Sequence, residues 1–93
     1  MTNRRWYHVM AQLGHQGAGR SLEVYIYVWV KDPLEAMFKY KKMGGIKKSR
    51  IPNITPLSSD DSQELEHMIL EDGLSLRDAK RKWYTSSEEY RWW

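Results

Sequence analysis

The fold of this chain is decided by residues 22–31, which read LEVYIYVWVK. One set of alternate side chains is aliphatic: Leu22, Val24, Ile26, Val28 and Val30. The other set is polar or aromatic: Glu23, Tyr25, Tyr27, Trp29 and Lys31. Because successive side chains of a β-strand point to opposite faces, this alternation predicts a strand with an aliphatic core face and an aromatic opposite face.

A second strand is predicted at residues 5–13, which a glycine-rich connection at 14–21 joins to residues 22–31. Antiparallel pairing of Leu13 with Leu22 makes both faces consistent. Four residues then join the aliphatic face: Tyr7, Val9, Ala11 and Leu13. Four join the aromatic face: Trp6, His8, Met10 and Gln12. A slip of one residue would mix the faces and is disfavoured, whereas a slip of two residues would preserve them and stays open.

The helix that follows carries start and stop signals. Asp32 is a suitable N-cap, Pro33 occupies the first helical position, and Glu35 completes a capping-box arrangement. Gly44 and Gly45 are expected to end the helix. Four side chains at helical spacing are expected to lie on the sheet: Ala36, Met37, Tyr40 and Met43. Three lysines are expected on or near its outer side: Lys39, Lys41 and Lys42.

Residues 49–57 are predicted to be extended, and an edge strand if they join the sheet, because Pro52 and Pro56 cannot donate ladder hydrogen bonds. The chain is thus expected to be one α+β domain over residues 1–93, with a ββαβ core at 1–57.

Residues 58–93 are expected to supply two or three short helices that pack on that core. The first begins in the segment SSDDS at 58–62, runs to about Asp72 and is ended by Gly73. Its inward side chains are expected to be Leu65, Met68 and Ile69. The second is capped by Ser75, with Asp78 as the reciprocal partner, and runs to about Tyr84. Residues 85–88 are typical of one more helix start.

Composition bounds the class of protein. The chain has 93 residues, of which 41% are hydrophobic and none is cysteine. The lack of cysteine excludes disulfides and thiolate metal sites and favours a reducing, cytoplasmic location. The N-terminus does not resemble a signal peptide, and the longest apolar run, around Val24 to Val30, is too short to cross a bilayer. We therefore expect a soluble protein without a membrane partner.

The sequence contains no recognisable catalytic motif. Its histidines are dispersed on a strand, in a loop and on a helix: His8, His15 and His67. They lack the i, i+4 spacing of a helical metal site, and the acids at 60 and 61 are explained by the helix dipole. A non-catalytic protein without a metal or cofactor is expected.

The glycine-rich loop GHQGAGR at 14–20 is the best single candidate for a ligand contact. Its backbone N–H groups can cradle an anion, and Arg20 can form a forked contact with a phosphate. The loop joins two strands rather than leading into a helix, and its glycine spacing matches neither dinucleotide-binding nor P-loop patterns. A hairpin turn is the favoured interpretation, and ligand sensing is the least supported function.

Charge is unevenly distributed along the chain, whose net charge is +3. Between Glu35 and Asp60 there is no acid, and this stretch holds Lys39, Lys41, Lys42, Lys47, Lys48 and Arg50. A second basic group is expected on the short helix capped by Ser75: Arg77, Lys80, Arg81 and Lys82. The stretch between them is acidic: Asp60, Asp61, Glu64, Glu66, Glu71 and Asp72. This bipolar pattern favours a phosphate-facing surface, although helix C-termini attract cations for their dipole alone.

The aromatic face consists of Trp6, His8, Met10, Tyr25, Tyr27 and Trp29. If it is open, it can act as a platform on which single-stranded bases stack or as a docking site for a protein. If it is covered by the C-terminal segment, it is a second core layer. Burial of most of this face is favoured, because large exposed apolar patches are rare in monomers.

Residues 61–93 resemble a helix-turn-helix of the transposase or phage-regulator type. The resemblance lies in Leu65, Met68 and Ile69, then GLSLRDA at 73–79, then WYTS at 83–86, and finally YRWW at 90–93. It implies two helices packed about a turn and a further recognition helix. Tyr84 stands where that family prefers glycine, and Glu88 and Glu89 make the last segment acidic for a major-groove helix.

Two functions follow from these patterns. The preferred one is a small nucleic-acid-binding or nucleoprotein-associated protein, with RNA or single strands favoured over duplex DNA. Its phosphate contacts would come from Lys39, Lys41, Lys42, Lys47, Lys48, Arg50, Arg20, Arg77, Lys80 and Arg81. The alternative is a protein-interaction module, such as a subunit or a small inhibitor from a mobile element. Its surface, which would also serve self-association, would contain Trp6, Tyr25, Tyr27, Trp29, Trp92 and Trp93.

Overall fold

The computed structural model describes residues 3–13, 22–42 and 53–86. In chain order, its elements are β1 (Arg5–Leu13), β2 (Leu22–Val30), α1 (Pro33–Lys42), β3 (Asn53–Pro56), α2 (Ser59–Glu71), α3 (Leu76–Arg81) and β4 (Tyr84–Thr85). The strands within these ranges form one antiparallel sheet in the order β3-β1-β2-β4. The α+β class predicted from the sequence is confirmed.

The hairpin of β1 and β2 has the predicted register. Leu13 pairs with Leu22, and the pairing continues through Val9 and Ile26 to Arg5 and Val30. The two-residue slip that the alternation left open does not occur. The connection at 14–21, including Arg20, lies outside the described residues.

Helix α1 begins as its N-cap predicts. The carboxylate of Asp32 accepts a 2.8 Å hydrogen bond from the backbone N–H of Glu35, and its backbone carbonyl accepts one of 3.2 Å from Ala36. Ala36 and Tyr40 are buried, and Met37 packs beside them. The predicted inward residue Met43 and the predicted terminator Gly44–Gly45 lie outside the described part of the chain.

Strand β3 occupies one edge of the described sheet, as predicted from its prolines. It pairs with β1, with Ile54 opposite Val9 and Pro56 opposite Tyr7. Immediately after it, the backbone N–H of Leu57 donates a 3.0 Å hydrogen bond to the carbonyl of Trp6. Residues 49–52 lie beyond what the structure describes.

Helix α2 begins within the predicted start segment at 58–62, and helix α3 begins after its predicted cap Ser75. The hydroxyl of Ser58 accepts a hydrogen bond from the N–H of Asp61, and that of Ser75 accepts one from the N–H of Asp78. Gly73 follows α2 with a φ of +81°, a left-handed conformation that glycine adopts without strain. Of the side chains expected inward on α2, Leu65 and Ile69 are buried, but Met68 is 40% exposed. Met68 was therefore placed wrongly, because it lies at the margin of the apolar stripe.

Two predictions for this segment are wrong: that the helix capped by Ser75 runs to Tyr84, and that a further helix starts at Thr85. Helix α3 ends at Arg81, and Tyr84 and Thr85 form β4, which pairs with Tyr27 and Ile26. The strand is favoured because it supplies hydrogen-bond partners to the edge of β2 and buries both side chains. Residues 87–93 lie outside the described ranges, and with them the remainder of the predicted last helix.

Two cores form, one on each face of the sheet. The α1-side core contains Tyr7, Val9, Val24, Ile26, Val28, Val30, Ala36 and Tyr40. The α2/α3-side core contains Trp6, Leu57, Leu65, Ile69, Ala79 and Tyr84. Trp83 packs against the first core and its neighbour Tyr84 belongs to the second, as the alternation of an extended chain requires.

Candidate functional site

The end of α1 is joined to the end of α3 by Lys39. Its ammonium group donates hydrogen bonds of 3.3, 3.2 and 3.2 Å to the backbone carbonyls of Lys80, Arg81 and Lys82. Carbonyls in the last turn of a helix lack partners within that helix, so Lys39 acts as a C-cap supplied by another element. Its predicted outward orientation was wrong, because this side chain is directed to α3.

Lys39 is half-buried in this position. Burial lowers its pKa below the ordinary value, the Glu35 carboxylate acts in the opposite direction, and the Arg4 guanidinium lowers the pKa further. The three carbonyl hydrogen bonds are made by the protonated amine. The ammonium group is therefore occupied by the fold rather than presented to a ligand.

The bridge at Lys39 places the basic last turn of α1 beside the basic end of α3. Four exposed cations belong to these two ends, and we refer to them as the α1/α3 basic surface: Lys41, Lys42, Arg81 and Lys82. Three of them come from the predicted phosphate-contacting set. Lys82 was outside that set, although its position directly after Arg81 was the signal that could have included it.

Lys80 belongs to the core margin. Its ammonium lies 3.5 Å from the Glu66 carboxylate and 4.3 Å from the centroid of the Trp29 ring. The same carboxylate oxygen of Glu66 accepts a 3.0 Å hydrogen bond from the indole N–H of Trp6. Lys80 is thus held between a carboxylate and an aromatic ring. Its ammonium group is engaged in these contacts and is not a free phosphate ligand.

The remaining predicted cations divide into two groups. Arg77 is exposed on the first turn of α3, one helical turn before Arg81. The others lie outside the described residues: Arg20, Lys47, Lys48 and Arg50. A cavity of about 150 Å³ at the end of α3 is lined by Leu74, Asp78, Ala79, Arg81 and Lys82.

The aromatic face is covered at one end and open at the other. Trp6 is fully buried and contacts Trp29 edge-on with ring centroids 5.4 Å apart. Tyr27 is half-buried, and burial, followed by the charges of Tyr25 and Asp61, raises its pKa. Tyr25 is 44% exposed and stacks on His8 at 5.2 Å. Placing Trp6 on an interaction surface was therefore wrong, since its ring fills the α2/α3-side core.

The cleft beside this face has an acidic character. It has a volume of about 260 Å³ and lies between the aromatic face and α2. Its polar lining includes His8, Tyr27, Asp61 and Glu64. The two carboxylates disfavour anion binding, so a polyanion is better accommodated at the α1/α3 basic surface.

Metal sites and membrane spans are absent from the same ranges. Among the described residues, no group of three or more histidines, cysteines and acids is placed to hold a metal ion. In these ranges, too, none of the helices combines the length and the apolar character needed to cross a membrane. Trp92 and Trp93 lie outside them.

Comparison of the chain with protein-family models, curated proteins and solved structures finds no match. The resemblance to a helix-turn-helix therefore stays a prediction. Helices α2 and α3 follow one another through a turn at Gly73, whereas Tyr84, which the resemblance places in a turn, lies in β4. The segment at 90–93 is outside the described chain.

Proposed function

We propose that this protein is a small, non-catalytic nucleic-acid-binding or nucleoprotein-associated protein that contacts phosphates through the α1/α3 basic surface. The observation that carries the proposal is the set of hydrogen bonds from Lys39 to the end of α3. They link the last turn of α1 to the end of α3, two basic segments that are about 40 residues apart in the chain. Clustered cations release counterions from a polyanion on binding, which gives affinity without sequence specificity.

A single strand suits this surface better than a duplex. Duplex readers commonly insert a helix into the major groove, but α3 has six residues and measures about 9 Å. Its buried residue Ala79 also packs in the α2/α3-side core. A flexible strand can follow the two helix ends without such an insertion, so RNA or single-stranded DNA is the favoured ligand.

The test is fluorescence anisotropy of the full chain with labelled oligo(U), oligo(dT) and a duplex, each of about 20 nucleotides. Salt is varied from about 50 mM to about 200 mM, where phosphate-driven binding weakens steeply. Binding at low salt that disappears as salt rises supports the proposal. Binding that is absent at low salt, or insensitive to salt, contradicts it. A preference for the duplex would instead support the helix-turn-helix resemblance.

Charge reversal identifies the surface. Lys42→Glu, Arg81→Glu and Lys82→Glu should each weaken binding and reduce the salt slope by about 0.7 for each phosphate that is no longer neutralised. Lys31→Glu is the matched control, because Lys31 is exposed at the opposite end of α1, about 15 Å from its C-terminus. If the control and the three surface variants weaken binding equally, the effect is one of net charge and the assignment of the surface fails.

The second candidate function is a protein-interaction module. It is favoured by the exposed Tyr25 and its stacking on His8, an arrangement suited to an interface anchor. Tyr25→Ala, or the pair Trp92→Ala and Trp93→Ala, should then shift the sedimentation mass or remove a bound partner. An unchanged mass and partner set would count against this function.

A further inference from the structure

The outer side of α1 exposes two large apolar side chains. Leu34 is 64% exposed and Phe38 is 55% exposed. They lie four residues apart, on the side of the helix away from the buried Ala36 and Tyr40. A contact between them stabilises a helix by only a few tenths of a kcal/mol, so the fold makes little use of the Phe38 ring.

Phe38 lies between Lys41 and Lys42, the two α1 cations of the α1/α3 basic surface, when α1 is viewed along its axis. At 100° per residue, Lys42 follows Phe38 at roughly 40° and Lys41 at roughly 60° in the other direction. Both are in the next turn, with their Cβ atoms about 5–6 Å from that of Phe38. Lys39 lies beyond Lys42 and is hydrogen-bonded to the end of α3. The order around the helix is therefore Lys41, Phe38, Lys42 and then Lys39, which reaches the end of α3.

No described carboxylate of α1 or of its N-cap competes at this position. Asp32 caps the helix start, and Glu35 is hydrogen-bonded to Arg4. A second copy docking through the same face would bring lysine against lysine, which is repulsive. A single-stranded nucleic acid offers the complementary chemistry, because it combines planar bases with phosphates on a flexible backbone.

We infer that Phe38 is a base-stacking residue and that the α1/α3 basic surface selects single-stranded nucleic acid by placing an unpaired base on this ring. This inference rests on the proposed function and narrows its ligand. Lys42, in the next turn, contacts a phosphate that flanks the stacked base. In a duplex the base faces are covered by their neighbours, so the ring gains nothing there.

The experiment compares the affinity of Phe38 variants for oligo(U) and for a duplex of the same length. Phe38→Ala should weaken single-strand binding about 5-fold to about 150-fold, the range that removal of one aromatic stacking partner produces. Phe38→Tyr and Phe38→Trp should retain it, because both keep a ring. Phe38→Leu should weaken it nearly as much as Phe38→Ala, because leucine keeps apolar area but has no ring. Duplex affinity should change less than about 2-fold in every variant, since no stacking is expected there.

Leu34→Ala is the matched control, since Leu34 is similarly exposed on the same side but one turn farther from Lys42. It should leave single-strand affinity within about 2-fold of the wild type, because it removes no ring. The inference is overturned if Phe38→Ala binds like the wild type, if Phe38→Leu does, or if Phe38→Ala changes the sedimentation mass.

The two proposals fail in different ways. If Lys42→Glu and Arg81→Glu weaken binding while Phe38→Ala does not, the result supports phosphate binding and contradicts base stacking on Phe38. If the wild-type chain binds no oligonucleotide at low salt, both the proposed function and the base-stacking inference are contradicted. Circular dichroism checks that each exposed-site variant is folded, which is expected because Phe38 is outside both cores.

Discussion

The indole N–H of Trp6 donates a 3.0 Å hydrogen bond to Glu66, which ties the fully buried ring in β1 to helix α2 across 60 residues of chain. The same carboxylate oxygen lies 3.5 Å from the ammonium of Lys80, which in turn lies over the ring of Trp29. One acid therefore connects both strands of the hairpin with α2 and α3.

Glu66→Ala should lower the free energy of unfolding by about 1–3 kcal/mol, because it leaves the buried indole N–H without its acceptor. Glu66→Gln keeps an acceptor oxygen and should lower the free energy of unfolding by less than Glu66→Ala does. Urea denaturation measures both. Glu64→Ala is the control, since Glu64 is exposed on the same helix and its replacement should change stability by no more than about 0.5 kcal/mol. An equal effect at both positions would contradict a specific role for Glu66.

Lys39→Met should destabilise the protein by about 1 kcal/mol, because three carbonyls at the end of α3 are deprived of their donor. Lys42→Met, in the same turn but exposed, should change stability by no more than about 0.5 kcal/mol. Thermal unfolding of both variants makes the comparison. If Lys42→Met costs as much, Lys39 has no capping role beyond a general effect of helix charge.

The parts of this fold that were predictable from the sequence are those fixed by local periodicity. The alternation at 22–30 fixes which side chains share a face, and Asp32, Ser58 and Ser75 each cap a helix that begins at the next residue. These signals depend only on residues close together in sequence, so the sequence alone is enough to detect them.

What could not be predicted depends on partners far away in sequence. The capping role of Lys39 was not predictable from the sequence, because the carbonyls it caps are 41 to 43 residues downstream. A two-residue strand such as β4 has no periodicity to detect, and its formation depends on the open edge of β2. The sequence predicted two basic segments, but the contact of Lys39 with the end of α3 depends on how the helices pack.

Strand β4 can be tested through Tyr84, whose hydroxyl donates a hydrogen bond to Asp72 and whose ring is buried in the α2/α3-side core. Tyr84→Ala should lower the free energy of unfolding by about 3–5 kcal/mol, because it leaves a cavity. Tyr84→Phe should lower it by about 1 kcal/mol, because it removes the hydroxyl. Chemical denaturation gives both values. A cost below about 1 kcal/mol for Tyr84→Ala would contradict burial of this ring.

Alkaline pH should destabilise the protein through Tyr27 and Tyr40. Burial raises the pKa of both above the ordinary value of 10.0, and for Tyr27 the charges of Tyr25 and Asp61 act in the same direction. A group whose folded pKa is raised contributes stability that is complete below its unfolded pKa and is lost as pH rises through its folded pKa. The unfolding midpoint should therefore fall as pH increases above about 10.

Tyr27→Phe and Tyr40→Phe should each flatten that decline, and the double variant should flatten it by the sum of the two effects. Additivity is expected because Tyr40 is part of the α1-side core and Tyr27 packs against the α2/α3-side core, on the other face of the sheet. Urea midpoints from about pH 8 to about pH 11.5, with tyrosinate absorbance followed in parallel, measure the effect. If the wild type and the double variant lose stability along the same curve, ionisation of these two phenols is not what unfolds the protein in alkali.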